Sequence, residues 1–377
     1  VKSSIKNYLV AAFVSFSLWH TGICALATNT WATAICAADT AKKEHKLVEA
    51  EKLFAESLRD AEAFEEGDPR LFMSLRGLAD VCLERGEREK AEQLYLRQLK
   101  IVEKVGYIHR ADETYLWSSI AFIASKQGHM VEAERRYRKA ISLAEEQNGL
   151  NSLEVASLSS ALAYCCHHQN HFDDAITANQ RALKIHQMLE PNGSFVSDDL
   201  AAISCAYQDK HDYLQSDAIE KRALAIRLKL CRSDDPRLVQ SLSRLANNMT
   251  SEHNPDQALT MYKTKLLNMG AIAYGPNSFQ MSILLDGLAL AYKEKKDYAN
   301  AITIYEKALA IQRKVLTKED RVLGRAVTDL AGCYLKAGKP EKARQVCRDY
   351  LRSVSGTHKI NDEALSEVMR TLALSRK

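Results

Sequence analysis

One short pattern recurs eight times along this sequence, and its spacing constrains the fold more than any other feature. A small residue is followed four positions on by an aromatic or polar one, as in Ala50 with Phe54, Ala91 with Tyr95 and Ala133 with Tyr137. The pattern continues at Ala175, Ser216, Ala258 (with Tyr262), Ala301 (with Tyr305) and Ala343, so that successive anchors keep a nearly constant step. That step is roughly 42 residues, inside the range of repeat architectures. A second pattern, a large aliphatic usually followed by Ala, precedes each anchor from Ala91 onward. It reads Leu78-Ala79, Ile120-Ala121, Leu162-Ala163, Ile203-Ser204, Leu245-Ala246, Leu288-Ala289 and Leu330-Ala331, each thirteen positions before its partner. An eighth pair, Leu372-Ala373, follows Leu330 by one more such step. A period of this length marks a chain built by stacking one supersecondary unit, because each unit buries its apolar face only against its neighbours.

The unit is a pair of helices. Apolar residues at i, i+1, i+4 and i+8 share one helical stripe, so Leu78, Ala79 and Cys82 lie on one face, as do Leu288, Ala289 and Tyr292. Small residues let two helices approach and large ones fill the space between. The constant interval of thirteen implies a turn of fixed length inside each hairpin. The small variation in the longer step is expected between hairpins, where repeat proteins place their insertions. Pro69, Pro191, Pro236 and Pro276 fall between hairpins, Pro255 and Pro340 in inner turns, and none inside an expected helix, as the missing N–H demands. Gly86, Gly128 and Gly338 occupy inner turns, where positive φ is often needed. The fold class that follows is all-α, an α-solenoid without a sheet. Seven hairpins are expected across residues 44–377, with a single capping helix at each end, near 44–62 and 361–375.

Composition removes several alternatives. Apolar residues make up 46% and charged residues 27%, which is globular rather than disordered usage. The net charge of +4 supplies no strong field for nucleic acid, and no basic run adds one. Nine cysteines without a C-x-x-C pair form neither a disulfide framework nor a zinc ribbon. Those at core positions read as small hydrophobes.

Residues 1–27 differ from the rest. Lys2 and Lys6 precede an apolar run from Tyr8 to Leu18, and Ala25-Leu26-Ala27 follows as a small-residue cleavage site. This order reads as a secretory signal peptide. The alternative is an uncleaved membrane anchor over residues 8–27, long enough to span a bilayer. Val1 in place of Met fits either a literally translated GUG start, a bacterial feature, or a fragment. Residues 28–43, rich in Ala and Thr, read as a short linker.

The hairpins resemble the tetratricopeptide repeat (TPR). Its small–large pattern is met by Leu288, Ala289, Tyr292, Ala301, Tyr305 and Ala308, and again by Leu330, Ala331, Tyr334 (one place late), Gly338 and Ala343. The usual repeat is shorter, about 34 residues. The longer period and the Asp68-Pro69, Asp235-Pro236 and Gly275-Pro276 dipeptides are similar to the kinesin light chain variety. The period also suits a HEAT array, but the recurring Ala-x-x-x-Tyr favours the tetratricopeptide form. Two departures stand out. Where kinesin light chains carry an Asn that holds bound peptide, this sequence has Gly77, Ser119, Ala161, Ala202, Arg244, Gly287 and Asp329. Nor do the groove positions carry the basic cluster with which chaperone-binding members hold a terminal carboxylate.

The resemblance implies a concave face lined by the first helix of each hairpin. Positions −2, +2 and +5 from the Leu anchor lie about 140–200° from it on a 3.6-residue helix, away from the hairpin's own core. The candidate partner-binding residues are therefore Arg76, Asp80, Ser118, Phe122, Ser125, Ser160, Tyr164, His167, Gln208, Ser243, Asn247, Asp286, Leu290 and Lys293. The middle of this surface is small, neutral and hydrogen-bonding, while Phe122 and Tyr164 add aromatic anchors of the kind enriched at binding hot spots. This composition suits an extended peptide or a partner loop.

Catalytic and metal signatures are sparse. Cys165, Cys166, His167, His168 and His171 cluster, but Cys166 takes the core position also held by Cys82 and Cys333, so packing accounts for the group. There is no phosphate-binding glycine loop, G-x-S-x-G elbow or H-E-x-x-H motif. No catalytic residue, metal or cofactor is expected, nor a nucleic-acid partner or a small-molecule substrate. Membrane contact is expected only if residues 1–27 remain. Two readings follow: an exported interaction scaffold, or a regulatory or sensor module dedicated to one protein or peptide.

Overall fold

The computed structural model describes residues 30–65, 67–105, 110–317, 320–354, 366, 368–371 and 373, and the regular structure among them is entirely helical. The expected signal peptide and anchor lie outside the described residues. Among the described residues no helix is long and apolar enough to cross a membrane. The helices fall into two units, one ending at Ala206 and the other beginning at Tyr207.

The first unit holds α1 Thr30–Lys43, α2 Leu47–Ala61, α3 Pro69–Glu84, α4 Arg88–Val105, α5 Arg110–Lys126, α6 Met130–Asn148, α7 Leu153–His168, α8 Phe172–Leu189 and most of α9, Ser194–Asp209. The expected linker over 28–43 is, from Thr30, a helix packed on α2. The reason is an apolar stripe of Trp31, Ala32, Ile35, Ala38 and Ala41, all buried, in a segment rich in helix-favouring Ala. Trp31 Nε1 also donates to Ser74 Oγ at 2.9 Å. The helix expected as a lone cap near 44–62 is therefore the second member of a hairpin.

The second unit contains α10 Tyr213–Leu230, α11 Pro236–Ser251, α12 Pro255–Met261, a π-helical turn Tyr262–Leu266, α13 Leu267–Tyr274, α14 Phe279–Glu294, α15 Tyr298–Val315, α16 Arg321–Lys336 and α17 Pro340–Val354. The step from Ala258 to Ala301, the longest in the sequence, is explained here. Its extra residue is absorbed inside the helix as the π turn, as single-residue insertions commonly are, and not between hairpins as expected. The closing helix expected near 361–375 is described only at 366, 368–371 and 373. These residues are helical, and Val368 is buried against the α16–α17 core.

The fixed interval between the two patterns has a backbone cause. Every inner turn has three residues, and its middle one is left-handed: His45, Gly86, Gly128, Asn170, His211, His253, Lys296 or Gly338, with φ from 57 to 86°. The third turn residue donates back to a carbonyl of the preceding helix, as Glu87 N does to Cys82 O (2.8 Å) and Asn254 N to Met249 O (2.8 Å). This is the Schellman closure, which satisfies helix-end carbonyls and sets the direction of exit. First helices start on capping side chains: Asp68, Asp235 and Asp320 accept from the N–H two residues on, and Ser152 and Ser278 from three on. Pro69, Pro236 and Pro255 sit in first turns, where a proline costs no hydrogen bond.

Both sequence patterns are core patterns. All seven Leu-Ala or equivalent pairs and all eight small anchors are buried. So are Cys82, Cys165, Cys166, Cys333 and Cys347. Close approach is enforced at two glycines. A Cβ on Gly77 would stand 2.1 Å from the Phe54 ring, and one on Gly287 would stand 2.0 Å from Tyr262 Oη.

Candidate partner-binding face

Each first helix buries its anchor stripe, and most leave the opposite stripe partly open, so the two units present different surfaces from one helical register. In the first unit, the α3 end of that stripe is filled by the chain itself. Arg76 is buried, its guanidinium 4.0 Å from the Tyr115 ring, and its Nη1 donates to Asp112 Oδ1 at 2.9 Å. Asp80 accepts the hydroxyls of Tyr95 and Tyr115, each at 2.6 Å, and the Lys42 ammonium at 3.3 Å. Burial alone would raise the Asp80 carboxyl. Lys42, Arg76 and the two tyrosines outweigh it and hold the group below the usual carboxylate range. Ser118 and Ser125 are also buried, their hydroxyls turned back onto the carbonyls of Tyr115 (2.8 Å) and Phe122 (2.7 Å).

The half-exposed surface of this unit begins at Phe122 and Tyr164. The Lys126 ammonium lies 5.1 Å from the first ring and 5.8 Å from the second, and His168 meets Tyr164 edge-on at 4.3 Å. Half-buried His167 packs edge-on against Phe172 at 5.4 Å. Ser160 Oγ donates to Asp199 Oδ1 at 3.0 Å, and His186 Nδ1 stands 2.6 Å from the other oxygen of the same carboxylate. The His186 ring stacks on Phe195 at 5.0 Å. Ser160 and His186 both engage Asp199 and not each other, so this trio lacks the serine-to-histidine contact of an activated nucleophile.

In the second unit, Gln208 Nε2 donates to Asn248 Oδ1 at 2.6 Å, and Asn248 Nδ2 donates to Ser216 Oγ (2.9 Å) and Asp217 Oδ1 (2.7 Å). Asn247 accepts the Tyr262 hydroxyl at 2.5 Å. Ser243 and Leu290 are half-exposed, and Lys293 Nζ pairs with Asp329 Oδ1 at 3.2 Å. Asp286 accepts from Gln312 Nε2 at 2.6 Å. Burial pushes its carboxyl up to about 7; Gln312 opposes this, Asp329 adds to it and Arg325 opposes it.

Sequence reasoning missed one row of the open stripe. The −5 positions, Ser157, Asp198, Gln240, Ile283 and Arg325, are half-exposed or exposed, Ile283 by 45%. The same helical arithmetic finds them, since −5 lies about 220° from the anchor. In α3 and α5 the equivalent residues, Met73 and Tyr115, are buried. Three residues of metal-ligating type, Glu51, Cys82 and Glu87, also come together. Arg85 and Lys90 already pair with the two carboxylates, which leaves little reason for a metal there.

A family model for the tetratricopeptide repeat matches residues 30–104, 112–188 and 280–354, more than half of the chain. The chain belongs to the tetratricopeptide-repeat family. Among solved structures, this TPR protein is similar to the apo quorum sensor NprR from B. thuringiensis: 12% identity over 94% of this chain and 99% of that one, TM-score 0.69. It is similar to apo RapI at 14% identity over 92% and 98%, TM-score 0.61. A Rap protein complexed with Competence and Sporulation Factor gives 15% over 92% and 97%, TM-score 0.52. At these identities the likeness is one of fold. No curated protein sequence matches.

Proposed function

We propose that this TPR protein is a non-enzymatic sensor or regulatory module that binds one peptide or protein segment on the open stripe of the first helices in its first unit. The observation that carries this reading is the stripe itself. In the first unit it presents aromatics at Phe122 and Tyr164 beside the neutral hydrogen-bonding hydroxyl of Ser160. Side chains of this kind can hold backbone amides and apolar side chains of an extended segment together. Support comes from the relatives: NprR is a quorum sensor, and a Rap protein has been solved with a factor bound.

A random dodecapeptide library displayed on phage and panned against the whole chain tests this reading. Enriched peptides should titrate to one site per chain. Phe122→Ala and Tyr164→Ala should each weaken them at least tenfold, with an unfolding change well below the roughly 3–5 kcal/mol of a fully buried ring. Loss of folding without a specific loss of binding would remove the assignment.

A second reading is favoured by residues 1–27: an exported scaffold with many partners, freed by cleavage after Ala27 or held by residues 8–27. N-terminal sequencing of the mature protein separates these two, since an intact Val1–Ala27 segment contradicts cleavage. Pull-down with the mature chain separates sensor from scaffold, one stoichiometric partner favouring the former. Within the family we place the chain with the kinesin light chain variety. The support is the long period together with Asp68-Pro69 and Asp235-Pro236, which cap and open first helices.

A further inference from the structure

The second unit contains two buried acceptors in one side-chain pair, and neither has a donor. Gln312, on α15, is fully buried, and its Nε2 donates to Asp286 Oδ2 on α14. Asp286 Oδ1 and Gln312 Oε1 are both buried, and neither has a hydrogen-bond partner. Leaving a buried acceptor unpaired forfeits the hydrogen bond it had with water, and a carboxylate is the more expensive case. One proton removes both faults. Placed on Oδ1, it neutralises Asp286 and supplies the donor that Gln312 Oε1 lacks. The side chains would then form a cyclic acid–amide pair, O–H donating one way and N–H the other.

We propose that Asp286 and Gln312 are a proton-operated latch, joining α14 to α15 when Asp286 carries its proton and loosening when it does not. The charged groups around Asp286 fit this role. Arg325 on α16 is exposed and Asp329 is engaged by Lys293, so neither is a committed counter-ion for Asp286. Tyr305 on α15 and Tyr262 on the π turn are buried and feel the charge on Asp286. Burial is the largest influence on both hydroxyls and raises them, the Asp286 charge adds to it, and both stay protonated. The proton that moves near neutral pH is therefore the one on Asp286, whose carboxyl burial lifts to about 7. The latch stands on the open stripe beside Leu290 and Lys293. It would make the mobility of that wall depend on pH, and it stands whether or not this stripe is the partner site.

The sign follows from linkage. When the layer opens, the carboxyl returns to its ordinary range near ~4. Between about pH 4 and 7 the closed layer holds a proton that the open layer does not, so opening becomes easier as pH rises, by up to about tenfold per unit. Above about pH 7 the dependence levels off. Amide hydrogen exchange of the ligand-free whole chain, corrected for intrinsic rates at pH 5, 6, 7 and 8, reads this directly. In the wild type, opening of α14 and α15 should rise toward about tenfold per unit up to pH 7 and then flatten. Asp286→Asn puts an N–H where the proposed O–H stands, so it should hold the layer closed at all four pH values. Gln312→Leu should open it at pH 5 as far as the wild type opens at pH 8. A flat wild-type profile, or an unchanged slope in Asp286→Asn, overturns the proposal. Failure of Asp286→Asn to fold also contradicts it, because Asn supplies the same donor.

Discussion

Asp80 in the first unit and Asp286 in the second are both first-helix carboxyls drawn in among packed helices, and they end in opposite states. Asp80 collects two tyrosine hydroxyls and a lysine ammonium, with Arg76 nearby, and stays ionised. Asp286 collects one neutral amide, has an acidic neighbour in Asp329, and is lifted to about 7. Burial is the largest single influence on both, and it acts in the same direction. The difference lies in the donors supplied by adjoining helices. The same first-helix stripe can thus carry a fixed strut in one repeat and a titrating group in another.

The largest effect expected from this comparison is at Asp80. Asp80→Ala leaves Tyr95, Tyr115 and Lys42 without their shared acceptor and should destabilise the first unit by about 3–5 kcal/mol, as breaking buried ion pairs does. Denaturant unfolding measures it, and a loss below about 1 kcal/mol would break the comparison. Leu288→Ala, close to Asp286 on the same helix, should cost about 2–5 kcal/mol through lost packing alone. Contacts in a repeat array are nearest-neighbour. Exchange protection should therefore fall in adjoining helices, and uniform loss across the described residues would contradict that.

Asp286→Asn is expected to work in the other direction. It should stabilise the second unit by up to about 4 kcal/mol at pH 8, because an interval of roughly three pH units no longer favours release of the proton, and do little near pH 4. Thermal unfolding at the two pH values sharpens the contrast with Asp80, whose replacement should be harmful at both. The smallest effect serves as a backbone control. Lys296 holds a left-handed turn with φ 63°, so Lys296→Gly should stabilise by up to about 1 kcal/mol at either pH.

The repeat was legible because the residues that pack are the ones that recur. Leu288 with Ala289, and Ala301 with Tyr305, announce their helix faces through period alone. Helix α1 was not legible. Its stripe of Trp31, Ile35 and Ala38 lacks the small–large signature of the later repeats, and its threonines mimic linker composition. The π turn was hidden because one inserted residue changes the spacing equally whether it lies in a loop or a helix.

Helical arithmetic found much of the open stripe, including Phe122, Tyr164 and Asn247, by direction from the core. It could not see that Arg76 is covered by Tyr115 of the next repeat, or that Ser118 and Ser125 are buried with their hydroxyls turned onto carbonyls of their own helix. Nor could it see the Asp286–Gln312 pair, whose members are 26 residues apart and meet only when the hairpin closes.

A carbon-13 titration of the side-chain carboxyls, followed in one sample of the whole chain from pH 4 to pH 9, tests most directly whether donors set the fate of these buried carboxyls. The account predicts a midpoint near 7 for Asp286 and no transition for Asp80 over that range. Two carboxyls titrating together, or an Asp286 already ionised at pH 5, would contradict it.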